Sequence, residues 1–194
     1  MAKARPITGL DSQAPTGKNA RLILQQRLDD MYIYAPYIEN PDNIQELHDL
    51  RIAAKRVRYT LELFEECLPA ASKGFAEELA KLQEELGALH DSEVMLTLLR
   101  QLLQPKSEDV ETNVAEAAPI EQKPALLSPE MEQAVLHPAH ASALSAKERQ
   151  GLFSFLRRQE QRREQSYALF RQHWEVLEQN HFREAILHML SESW

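Results

Sequence analysis

The residues best equipped for chemistry lie between positions 48 and 58, where His48, Arg51, Lys55 and Arg58 recur at steps of three and four. At about 100° per residue such steps return to one side of an α-helix, and these side chains fall within about 80° of one another. Tyr59 lies close to the same line, while Leu50, Ala53, Val57, Leu61, Phe64 and Leu68 cluster on the opposite side. The pattern predicts a helix with one apolar stripe and one nearly pure basic stripe, the latter roughly 15 Å long at about 1.5 Å per residue. Like charges stacked at i, i+4 oppose the helix, so acidic neighbours or a bound anion must offset them. Glu62, one turn on, can neutralise part of the stripe. Periodicity alone therefore leaves a solvated charged face and an anion site both open.

Other chemistries have less support. His48 with His90, Asp91 and Glu93 makes the main rival, a metal-binding helical bundle. The sequence has neither the Glu-x-x-His pairs of a di-iron bundle nor a zinc spacing of Cys and His. It also lacks a Gly-rich phosphate loop and a nucleophile elbow. Glu84 and Glu85 belong to an ordinary charged helix face. No enzymatic activity, cofactor or resident metal is expected. A second rival is a helical adaptor for a protein partner, its basic stripe engaged in ordinary ion pairs. The formal net charge of −8 and the absence of aromatic residues interleaved within the stripe argue against nucleic acid.

The elements that position these residues can be read from periodicity and breakers. In 194 residues with five glycines and 43% hydrophobic side chains, an all-helical domain is favoured over a turn-rich β fold. Residues 1–17 are expected to be a flexible tail ahead of a helical domain over 18–194. A first helix runs from Asn19 to Ile38, with Leu22, Ile23, Leu28, Met31 and Tyr32 at helical spacing. The Asn40-Pro41-Asp42 turn separates it from a second helix over Ile44–Cys67, and a third extends from Ser72 to about Leu103. Residues 105–144 carry Pro105, Pro119, Pro124, Pro129 and Pro138 in an Ala/Glu-rich stretch, so a disordered acidic linker is expected there. Ser145 and Glu148 form a candidate capping box for a long last helix reaching about Gln179, with a short helix over His181–Leu190. Four principal helices with one long connection predict an antiparallel four-helix bundle with coiled-coil-like packing.

That last helix carries an apolar seam of Leu152, Leu156, Phe170, Trp174 and Leu177, interrupted by Gln159, Arg163 and Ser166. A charge facing a bundle interior is costly unless paired or solvated. One reading opens the bundle there into a wet basic groove lined by Arg162 and Arg163. The other buries Arg163 in an ion pair, with Glu85 or Asp91 as partner. Arg157, Arg158, Arg162 and Arg163 lie within two turns and favour the groove, although Glu160 and Glu164 interleave with them.

The segment from His48 to Tyr59, His-Asp-Leu-Arg-Ile-Ala-Ala-Lys-Arg-Val-Arg-Tyr, resembles the signature helix of the CHAD family, the conserved histidine α-helical domain. Leu82 to Asp91, Leu-Gln-Glu-Glu-Leu-Gly-Ala-Leu-His-Asp, resembles the leucine-rich segment of the same family one helical hairpin on. The likeness covers about residues 19–104, and more loosely 145–180. It implies an α-helical domain that binds inorganic polyphosphate through a basic surface without acting chemically on it. Arginine offers two-pronged hydrogen bonds and lysine a mobile point charge, and a row of both can contact successive phosphates. His48 can donate to phosphate, or remain neutral and hydrogen-bonded at the helix start. The candidate polyphosphate ligands are His48, Arg51, Lys55, Arg56, Arg58, Lys81, Arg162 and Arg163. Family members usually pair two such four-helix units, whereas the His48 motif occurs once here. A second copy or another chain is therefore expected to supply the missing half. The lone Cys67, the polar start and the lack of a long apolar run point to a cytoplasmic protein without a membrane span, polyphosphate granules included among its expected locations.

Overall fold

The computed structural model describes residues 5–103 and 145–192. Those residues form five α-helices and two short 3-10 turns, with no strand among them. The all-α class and the helical bundle agree with the periodicity. The linker expected at 105–144 lies outside the described residues.

Helix α1 spans Thr16–Tyr32 and starts three residues earlier than the apolar pattern suggested, directly after Pro15, whose carbonyl accepts from the Lys18 amide at 3.0 Å. Its buried side chains are Ala20, Leu24, Leu28, Asp30 and Met31, whereas Leu22 faces outward. A 3-10 turn over Ala35–Tyr37 replaces the expected last turn of this helix. Residues upstream of α1 lie along it: the Gln26 side-chain amide donates to the carbonyl oxygens of Arg5 and Pro6, and Arg5 and Arg27 both pair with the buried Asp30.

Helix α2 spans Ile44–Leu63 and is followed by the 3-10 turn Glu65–Cys67. Asn43 precedes it without capping it, since its amide donates to the Tyr37 carbonyl at 2.8 Å. Helix α3 spans Ser72–Leu103, and α4 spans Ala146–Gln179. The capping box of α4 forms as its sequence predicts: the Ser145 amide and hydroxyl donate to Glu148 at 2.8 and 2.7 Å, and the Glu148 amide donates back to Ser145 Oγ. His181, in the left-handed region at φ 51°, turns the chain into α5, Phe182–Ser191.

The chain divides into two compact units, one of residues 1–90 with 164–194 and the other of residues 91–163. In the first, all five helices contribute to one core. Leu24 and Leu28 come from α1; Leu50, Val57 and Leu61 from α2; Leu79, Leu82 and Leu86 from α3; Phe170 and Trp174 from α4; Ile186 from α5. The α2 and α3 segments are antiparallel, because His48 stacks on His90 while Leu61 and Glu62 line one cavity with Ser72 and Ala76. In the second unit α3 and α4 are likewise antiparallel, with Glu93 meeting Arg163 and Arg100 meeting Glu160. Leu96 and Leu99 are buried there.

Candidate anion-binding site

Burial of Leu50, Ala53, Ala54, Val57 and Leu61 sets the rotation of α2, and Phe64 is half-buried at its end. The opposite side then carries His48, Arg51, Lys55, Arg58 and Tyr59. These residues share a helix side but not one degree of exposure. Lys55 and Tyr59 are exposed, whereas His48, Arg51 and Arg58 are half-buried. Exposure thus alternates along the row, and its N-terminal members His48 and Arg51 sit against α3.

The N-terminal end of the row is built with α3. The His48 ring packs on His90 with centroids 4.4 Å apart and planes inclined by 37°. A Cβ placed on Gly87 would lie 3.6 Å from Arg51 Nε and 3.9 Å from Nη2, so the guanidinium rests across the bare face of this glycine. His48 Nδ1 and Arg51 Nε are both buried without a hydrogen-bond partner among the described residues. Arg21 and Arg183 also bury an unpartnered Nε, but their Nη2 atoms donate to the Glu192 carbonyl and to Asp29. Arg51 makes no hydrogen bond or ion pair among the described residues. Burial pushes the His48 pKa below the ordinary imidazole value; Asp49 opposes the shift and Arg51 adds to it. The ligand-free site therefore favours the neutral ring.

At the other end, Arg58 Nε lies 3.4 Å from Glu62 Oε1, an ion-pair distance without hydrogen-bond alignment. Lys55 Nζ and Arg58 Cζ lie 5.3 and 4.9 Å from the Tyr59 ring centroid. Arg56 occupies the other flank of α2, beside Tyr34. Burial is the main cause raising the pKa of that phenol, Asp49 raises it further and Arg56 opposes them.

The remaining candidates have separate settings. Lys81 is held by Glu78 at 2.7 Å on the exposed side of α3. Arg162 is exposed on α4, within the second compact unit. Arg163, in the same unit, pairs with Glu93, the two side chains being 18% and 6% exposed. This is the interior ion pair weighed against a wet groove, with Glu93 as the partner in place of Glu85 or Asp91. That pairing also engages Glu93, a member of the metal rival, and no group of three metal-ligating side chains converges among the described residues.

Sequence reasoning did not single out His173. Its Nδ1 lies 2.8 Å from Glu85 and its Nε2 3.1 Å from Glu78, tying α4 to α3 within the first unit. The only signal in the sequence was a histidine on the buried side of α4. Gly87 was visible as part of a motif, but not as the seat of Arg51.

A family model of the CHAD domain matches residues 2–100. The chain belongs to the CHAD domain family. The match covers α1, α2 and all but the end of α3, so the α2 and α3 residues of the candidate site fall inside it. No curated protein and no solved structure matches the chain. No helix among the described residues is long and apolar enough to cross a membrane.

Proposed function

We propose that this CHAD protein binds inorganic polyphosphate through the basic side of α2 and performs no chemistry on it. The observation that carries the reading is Arg51. A half-buried guanidinium with no acidic partner among the described residues is costly unless an anion completes it. Arg51 stands in line with His48, Lys55 and Arg58, whose N–H donors can take successive phosphate oxygens. The acidic total of the chain confines attraction to this local row. CHAD domains are associated with polyphosphate- and triphosphate-binding proteins, which agrees with the donor set.

Arg51, Lys55 and Arg58 are the principal ligands in this reading. Arg56 lies on the next flank, and His48 joins when an anion favours its protonated form. A titration with long-chain polyphosphate, run beside single-stranded nucleic acid and divalent metals, tests it. Polyphosphate is expected to bind more tightly than nucleic acid and independently of added metal. Preference for a metal over both polyanions would overturn the proposal.

A further inference from the structure

We infer that Tyr59 is a positioning residue of this site, its ring gathering the Lys55 ammonium and the Arg58 guanidinium into one two-cation subsite. The inference rests on the polyphosphate reading and assigns a role to a residue outside its ligand set. Lys55 Nζ is 5.3 Å and Arg58 Cζ 4.9 Å from the ring centroid, inside the ~6 Å at which a cation is drawn to an aromatic face. Tyr59 is 48% exposed, and its hydroxyl makes no hydrogen bond among the described residues. Neither burial nor a polar contact of the hydroxyl accounts for its place.

Two properties of the ring suit the role. Lys55 and Arg58 are like charges three residues apart and repel along the helix. A π face attracts both and offsets that repulsion. It also uses the charge of each group and not its N–H donors, so the hydrogen-bonding capacity of both stays free for phosphate oxygens. Glu62 acts differently: it sits at Arg58 Nε, where an arriving phosphate must compete with it. The ring thus holds two flexible side chains near their bound positions, and less conformational freedom is lost on association.

The test compares long-chain polyphosphate titrations of the full chain with Tyr59→Phe, Tyr59→Leu and Tyr59→Met, each at several salt concentrations. Loss of the π face in Tyr59→Leu and Tyr59→Met is expected to weaken binding about three- to tenfold. The slope of affinity against salt stays that of the parent, because no phosphate contact is removed. Tyr59→Phe keeps the ring and binds like the parent. In a Lys55→Ala/Arg58→Ala background, Tyr59→Leu has no further effect. Equal losses in Tyr59→Phe and Tyr59→Leu would show that the hydroxyl itself contacts the ligand, overturning the positioning role. A parent that binds beside unaffected Leu and Met variants removes the role of Tyr59 alone. A parent that does not bind removes the polyphosphate reading as well. Thermal melts of each variant separate these outcomes from loss of folding.

Discussion

Replacing Arg51, Lys55 and Arg58 by alanine, singly and together, probes the site most directly. Binding of a linear polyanion releases condensed counterions, with a slope of about −0.7 in log affinity against log salt per neutralised phosphate of a single strand. If Arg51, Lys55, Arg56 and Arg58 each neutralise one phosphate, the slope is about −3, and raising salt from about 50 to about 200 mM weakens binding about 50-fold. Each alanine should flatten the slope by about 0.7, and the triple variant should lose only about 2.5-fold over that interval. The structure separates their stability effects. Lys55 is exposed and makes no hydrogen bond or ion pair among the described residues, so Lys55→Ala should change stability by less than about 0.5 kcal/mol. The Arg51 guanidinium rests on Gly87 without an acidic partner among the described residues, so Arg51→Ala sets lost packing against relief of an unpaired charge and should change stability by less than about 1 kcal/mol. Titrations over a salt series, with urea unfolding of the same samples, read both quantities. A triple variant that binds polyphosphate like the parent would refute the assignment. So would single variants that lose several kcal/mol of stability with binding intact, since internal ion pairs give that result.

Three further outcomes follow from the geometry. Burial depresses the folded-state pKa of His48, so the unfolded chain takes up its proton first and the free protein should lose stability as pH falls through and below about 6.5, while the contribution is fully present above it. Polyphosphate, which favours the imidazolium, should bind more tightly over the same descent; a pH series of unfolding and titration on the parent and His48→Gln checks both signs. Removing one partner of the Arg163–Glu93 pair, in which Glu93 is 6% exposed, should cost about 3–5 kcal/mol in Arg163→Ala, and much of that should return in Arg163→Met/Glu93→Leu when measured by urea unfolding. Because the His48 motif occurs once, the chain is expected to self-associate or to bind a partner carrying the second half of the surface; sedimentation over a concentration range, with and without polyphosphate, decides it, and a strict monomer that binds tightly shows that one half suffices.

The sequence by itself determined the helices and the existence of a basic row. Both are local properties: 3.6-residue periodicity places His48, Arg51, Lys55 and Arg58 on one side of α2 whatever surrounds it, and Ser145 with Glu148 caps α4 within four residues. The C-terminal ends of α1 and α2 shifted by a few residues because the two 3-10 turns compete with simple periodicity. Tertiary structure decided which charges are already answered. Glu93 meets Arg163 seventy positions away, Glu78 and Glu85 flank His173 from another helix, and Gly87 of α3 is the residue against which the Arg51 guanidinium rests. None of these pairings has a period or a spacing to betray it, since each depends on how helices distant in sequence meet. A cation's availability to a ligand is set by its neighbours in space, and for Arg51 and Arg163 those neighbours differ although the residue type is the same.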